Sequence, residues 1–398
     1  MGRREATKGT ARGVVLLGLL AHEVRVTAHA APCMASAASL SIEGLPNEGA
    51  AREARVRLSS AGLGFDNHRV AVLVEGCPRA ADARPLDLPI AVAIMRAVQT
   101  AQPVVASEDT VFVGELALSG GVLPLRGTLA SIEAVNVPEL DAAPFIVPGA
   151  NVWEASVSTR ADSVRTIVHL HDLFDTRAIR PLPSPVRRPD TLGAESYSDL
   201  PPSHQAALEI ARGLRRVLLV GPPGSGKTMV ARRVGIDTPL TPPALREVVL
   251  VHGVAGLVSG PLSGARPFRA PHYTASETAL VGGGDRPRPG EVSLAHRGVL
   301  FLDELTEFTI SAVDAMGRVL RDRVVRLPRN DALVEFPAEP FAVVAAANPC
   351  PCARPRGTCT CSADALHGYR RRLDRHAAAL GITTRVELPS GSMMDVRR

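Results

Sequence analysis

The sequence predicts an α/β protein in two units, the second built around a parallel sheet. Three observations predict it. Short apolar runs at 217–220, 299–302 and 341–347 have the length and the Val, Leu and Ala content of buried strands. Helical segments at 203–213 and 229–233 flank the first of them, the alternation from which parallel sheets are built. Each run stops at residues chosen for chemistry rather than packing: GPPGSGKT after 220, Asp303-Glu304 after 302, and Asn348 after 347.

Length and composition set the frame. The 398 residues suffice for two or three domains, and with aromatics at 3% the cores must be built from Val, Leu, Ile and Ala. A net charge of +5 permits a nucleic-acid partner without demanding one. The apolar stretch 14–21 (VVLLGLLA) ends at His22-Glu23, too short to cross a membrane and without a cleavage site. No membrane partner is expected. Cytoplasmic placement is, with the six cysteines as thiols or ligands rather than disulfides.

Residues 1–178 form the first expected domain. Strands are expected at 25–29, 69–75, 111–116, 122–124 and 145–147, with an amphipathic helix at 48–61, a buried apolar helix at 86–98 and a helix at 129–135. None of its serines stands in a G-x-S-x-G elbow or beside a lysine, so this domain is read as non-catalytic. Residues 179–202, rich in Pro, Ser and Arg, read as a linker.

Residues 203–398 form the second domain. Its first helix, 203–213, has Ser203 as its expected cap. The strand 217–220 then breaks into Gly221-Pro222-Pro223-Gly224-Ser225-Gly226-Lys227-Thr228, the strand, loop and helix context of a Walker A motif. Glycines let the loop turn its N–H groups inward around phosphate, Lys227 reaches the β and γ phosphates, and Thr228 ligates Mg²⁺. Of 45 basic residues only Lys8 and Lys227 are lysines, so a compact point charge stands where phosphate needs one. About 70 residues further on, 299–304 reads as Walker B, with Asp303 holding Mg²⁺ and Glu304 activating water. Asn348 ends the third strand, placed to sense the γ-phosphate or, alternatively, to cap the next turn. ATP and Mg²⁺ are the cofactors expected.

Between the two Walker motifs lies a Gly-rich segment carrying Arg266, Arg269, His272, Arg286, Arg288, His296 and Arg297, with Phe268 and Tyr273 as its aromatic pair. It reads either as an insert touching a polyanion such as DNA or as a solvated loop. Cys350, Cys352, Cys359 and Cys361 follow Asn348 directly, as a tetrahedral Zn²⁺ site or as four reduced thiols. Cys33 and Cys77 are isolated and read as ordinary buried residues.

Several stretches resemble the ComM/YifB-type magnesium chelatase-like AAA+ ATPases: RPFRAPHYTASETALVGGG at 266–284, RPGEVSLAHRGVLFLDELTEF at 288–308 and AAANPCPC at 345–352. Upstream, IEGLPNEGAAREARVRLSSAG at 42–62, LDLPIAVAI at 86–94 and VGELALSGGVLPLRG at 113–127 resemble that family's N-terminal domain. The resemblance implies an AAA+ ATPase domain preceded by a domain related to the Lon protease/ribosomal S5 domain 2-like fold, without its Ser and Lys pair. It also implies a hexameric ring acting in DNA processing, of helicase or branch-migration type, and no insertion of magnesium into porphyrin. The chain departs from the family after Tyr369-Arg370-Arg371-Arg372-Leu373, where DRHAAALGITTRVELP (374–389) stands in place of a segment bearing an arginine expected to act across subunits. The C-terminal helical lid also reads as missing. ATP binding is then expected to survive, and a hydrolytically impaired protein acting by assembly is the alternative to a motor.

Overall fold

The apolar segment 14–21 folds as the end of one strand, a tight turn and the start of the next. Strands Thr7–Leu17 and Leu20–Pro32 pair antiparallel around Gly18, whose φ of 65° suits a residue without a side chain. This computed structural model describes residues 6–98, 107–134, 137–184, 200–236, 238–329, 332–354 and 359–389. It divides into two units, residues 1–186 with 252–262, and 187–251 with 263–398.

In the first unit the hairpin is the middle of an eight-stranded mixed sheet. On one side lie His68–Glu75 and then Ser39–Glu43; on the other lie Val111–Phe112, Phe145–Pro148, Val164–Ile167 and Arg180–Pro181. Strict alternation along His68–Glu75 buries Val70, Val72 and Val74 on one face. The helix Asp87–Val98, apolar on nearly all sides, lies against the hairpin. Glycine makes that closeness possible: a Cβ on Gly9 would overlap the Ala93 carbonyl oxygen, and one on Gly13 would come within 2.8 Å of Pro89 Cγ. Buried Asp87 receives Arg57 and the Leu116 N–H, the latter at 3.1 Å. The helix Glu48–Ser60 begins at Asn47, whose side chain accepts from the Ala50 N–H at 2.9 Å.

Several expectations are corrected. The run 111–116 is two strands, since Val111–Phe112 stays in the main sheet while Glu115–Leu116 pairs with Val122–Leu123. Residues 180–181, expected in the linker, pair with Val164–Ile167. The remainder of the linker from 185 to 199, Val135 of the expected helix 129–135, and the tail from 390 lie outside the described residues.

In the second unit five strands run parallel in the order Phe268–Arg269, Val299–Leu302, Ala342–Ala347, Arg216–Val220, Thr384–Glu387. Val220 pairs with Ala347 on one side and Glu387 on the other, which brings three strand ends level. Helices Pro202–Leu214 and Lys227–Arg233 cover the sheet, contributing Ala207, Leu208, Ala211, Val230 and Ala231 to its core. Ser203 does not cap the first of these, because the helix begins one residue earlier on Pro202, whose missing N–H costs nothing at a first turn. Among the described residues no helix is long and apolar enough to cross a membrane.

Candidate functional site

In a parallel sheet the crevice beyond the carboxyl ends of the strands is where backbone and side-chain polar groups are left to face a ligand. Four of the expected residues meet there. The loop 221–226 leaves Val220 and enters the helix Lys227–Arg233, with Gly224 at φ 76° and Gly226 at φ 80°, in the left-handed region that favours glycine. A Cβ on Gly221 would overlap Ser225 Oγ, and one on Gly226 would lie 2.6 Å from His204 Nε2, so the loop is closed on its packed side. At Gly224 a Cβ would meet nothing within 4 Å, and the loop is open on that side.

Lys227 bends back over this loop. Its Nζ donates to the carbonyls of Gly221 at 2.7 Å and Pro222 at 2.9 Å, and reaches Asn348 Oδ1 at 3.5 Å. Burial lowers its pKa, while the charges of Asp303 and Glu304 oppose that shift, so one cation faces two carboxylates across the crevice. Asp303 Oδ1 accepts from the Glu304 N–H at 3.0 Å. Glu304 stands at φ 50°, ψ 48°, an uncommon backbone state for a residue other than glycine, which turns the chain sharply at the strand end.

Sequence reasoning missed two residues that position this site. Buried His204, on the helix Pro202–Leu214, meets the Ser225 carbonyl through Nε2 at 2.8 Å and so pins the loop from beneath. Tyr369, on the helix Ala363–Ala379, donates its hydroxyl to the Asn348 carbonyl at 2.8 Å. Neither follows a local motif; each depends on a helix packing where only the fold brings it.

The four cysteines after Asn348 do come together. Their sulfurs all lie within 4.8 Å of one another, Cys350 to Cys352 at 3.2 Å and Cys352 to Cys359 at 3.6 Å. Tetrahedral thiolates about 2.3 Å from zinc would stand roughly 3.8 Å apart, so the donor set fits that ion. The Arg354 backbone N–H pulls the Cys352 thiol down to about 6, and burial pushes Cys350 up to about 12.

The basic segment divides. Arg269 forms a two-pronged pair with Glu291 at 2.7 and 2.6 Å. Arg266 donates to the carbonyls of Thr238 and Arg297, and Arg297 pairs with Glu247 and Glu339. His296 is kept neutral chiefly by burial, donating from Nε2 to Glu247 and accepting the Glu339 N–H at Nδ1. These four hold the unit together, while His272 bonds Thr274 and Arg286 and Arg288 are exposed around the hairpin of Gly282–Gly283 and Arg288–Pro289.

A Walker A loop between strand and helix, facing an Asp-Glu pair on the parallel strand next but one in the sheet, is the arrangement of the P-loop nucleoside-triphosphatases. Comparison with known proteins narrows the class. The family model described as magnesium chelatase, subunit ChlI, matches residues 201–389, and that described as subunit ChlI of Mg-chelatase matches 31–151. The YifB protein of Escherichia coli is 32% identical over 386 residues, covering 90% of this chain and 74% of that protein. The competence protein ComM of Haemophilus influenzae is 34% identical over 336 residues, covering 79% and 64%. The uncharacterized protein Rv2897c of Mycobacterium tuberculosis is 40% identical over 299 residues, covering 72% of this chain. The chain spans 58% of that relative's length. It belongs to the ComM/YifB-type magnesium chelatase-like family of AAA+ ATPases.

Proposed function

We propose that this chain binds Mg²⁺-ATP in the crevice of its second unit and hydrolyses it to drive remodelling of DNA. The observation that carries the reading is the convergence of Lys227, Asp303, Glu304 and Asn348 at adjacent strand ends. The inward-turning backbone from Gly221 through Pro222, Pro223, Gly224, Ser225 and Gly226 receives the phosphates, and Lys227 exchanges its bonds to the loop carbonyls for phosphate oxygens. Thr228 and Asp303 hold Mg²⁺, which supplies charge neutralisation between the phosphates. Glu304 takes the proton of the attacking water, and Asn348 orients that water or the γ-phosphate. The DNA reading rests on the family resemblance, the net charge of +5 and the exposed arginines 286 and 288.

Residues 1–178 are proposed as a non-catalytic domain of the Lon protease/ribosomal S5 domain 2-like kind, and 203–398 as the AAA+ domain, working as a homo-oligomeric ring. The four clustered cysteines are proposed to hold Zn²⁺ and so to fix the loop that follows Asn348. Six free cysteines suit a reducing compartment, the cytoplasm.

Steady-state ATP hydrolysis measured with and without single-stranded DNA tests the reading. Turnover is expected to rise with DNA and to fall by at least about a hundredfold in Glu304→Gln with nucleotide binding kept. Tight binding without turnover in the unaltered chain would overturn the motor and leave a nucleotide-dependent assembly protein.

A further inference from the structure

The same sheet has a second pocket, at the end opposite the Walker loop. Arg215, Phe341 and Arg297 stand just before the strands Arg216–Val220, Ala342–Ala347 and Val299–Leu302, so they mark the amino ends of the strands, whereas Gly221, Asn348 and Asp303 mark the carboxyl ends. Around them opens a cavity of about 350 Å³, lined also by Arg266, Glu247 and Glu339. It shares no residue with the nucleotide crevice.

Its charges are unevenly spent. Arg297 is neutralised by Glu247 at 2.6 Å and Glu339 at 3.0 Å. Arg266 gives Nε and one terminal nitrogen to backbone carbonyls, which fix its position and leave its charge uncompensated. Arg215 is exposed, and its guanidinium lies 4.7 Å from the centre of the Phe341 ring, with that of Arg266 at 4.0 Å from the same centre. The ring thus has two guanidinium groups within 4.7 Å of its centre, and among the described residues no carboxylate pairs with either. Burial, and then the charges of Arg215 and Arg297, depress the Arg266 pKa. Arg215 at φ 59° and Arg297 at φ 58° also occupy left-handed backbone, where glycine or asparagine is the easier choice.

We propose that this pocket is a second anion site, in which Arg215 and Arg266 bind the phosphate group of a small phosphorylated ligand. Guanidinium forks match a phosphate in two-pronged fashion, and the cavity has room for one such group with a body attached. A nucleic-acid strand fits poorly, because a continuous polyanion would have to pass the carboxylates of Glu247 and Glu339, whereas a compact anion can sit on the arginine side alone.

Pyrophosphate is the probe, titrated calorimetrically into the full chain carrying Lys227→Ala, so that the Walker loop no longer competes. Binding is expected to persist in that background and to weaken by about tenfold when Arg215→Gln is added, the loss of one charge-assisted contact. Arg215→Lys should recover part of the affinity, and because Arg215 is exposed and touches only the Phe341 ring, a contact worth about 0.5–1 kcal/mol at such a site, both variants should unfold within a few degrees of the parent. No binding in the Lys227→Ala background, or equal affinity with and without Arg215→Gln, overturns the proposal. So does a result in which Arg215→Gln weakens binding of a single-stranded oligonucleotide while pyrophosphate fails to bind, since that outcome assigns the arginines to a polymer.

Discussion

Asn348 answers to two neighbours at once, its side chain to Lys227 and its carbonyl to Tyr369. In the proposed site the Tyr369 hydroxyl would therefore act on the γ-phosphate only through Asn348. Tyr369→Phe keeps the ring and removes only that donor, which is worth about 1 kcal/mol. The expected outcome is a roughly fivefold drop in kcat with ATP affinity little changed, read from steady-state rates and a separate binding titration. Glu154, in the first unit, is a different kind of residue. Burial raises its carboxyl from 4.5 to about 7 against hydrogen bonds from Leu129 and Asn151. A carboxyl whose folded pKa lies above its unfolded value lends stability that is complete below the unfolded value and lost as pH rises through the folded one. The chain should thus lose stability between pH about 4.5 and about 7, by on the order of 3 kcal/mol from this group. Burial also raises Asp87, to about 6 against the opposing pull of Arg57, and it acts in the same direction. Urea denaturation at intervals across that range should give a shallower pH slope for Glu154→Gln than for the parent chain.

Elements were legible in the sequence to the degree that their signals are local. The strand of 217–220, its glycine loop and its helix are contiguous, and so are the apolar run 299–302 and its two acids; each can be read in a dozen residues. The hairpin at 7–32 was legible only in part, because its turn falls inside an apolar run and Gly18 is the sole punctuation. The edge strand Thr384–Glu387 carries four residues with no more than an alternating half-burial, and what makes it a strand is pairing with residues 217–220, far off in sequence. His204 and Tyr369 were hidden for the same reason. The cysteine loop is the element whose state can be altered from outside. If zinc holds it, metal analysis of purified protein should find about one zinc per chain, and chelation or Cys352→Ser should lower both thermal stability and ATP turnover. Four thiols without metal would leave turnover indifferent to chelator once Mg²⁺ is restored.

At the scale of the whole molecule the charge is less available than the composition suggests. Of the seven basic residues in the segment 266–297, Arg266, Arg269, His296 and Arg297 are engaged within the second unit, while His272, Arg286 and Arg288 are exposed. Binding of single-stranded DNA should accordingly show a shallow salt dependence, and Arg286→Ala with Arg288→Ala should reduce the slope of log affinity against log salt by about 1 to 2. An unchanged slope would move the contact elsewhere on the chain.

The place of Thr384–Glu387 bears on how the protein is made. The strand that carries the Walker loop is synthesised early in the second unit, yet the neighbour on its far side belongs to the last described strand. Until that segment leaves the ribosome, residues 216–220 present one row of unpaired backbone groups, the condition in which a strand recruits another chain. Pairings of such long sequence separation form slowly. Nascent chains halted before Thr384 should thus be the aggregation-prone species, and capacity to retain nucleotide should appear late in synthesis, only after the sheet has acquired its fifth strand.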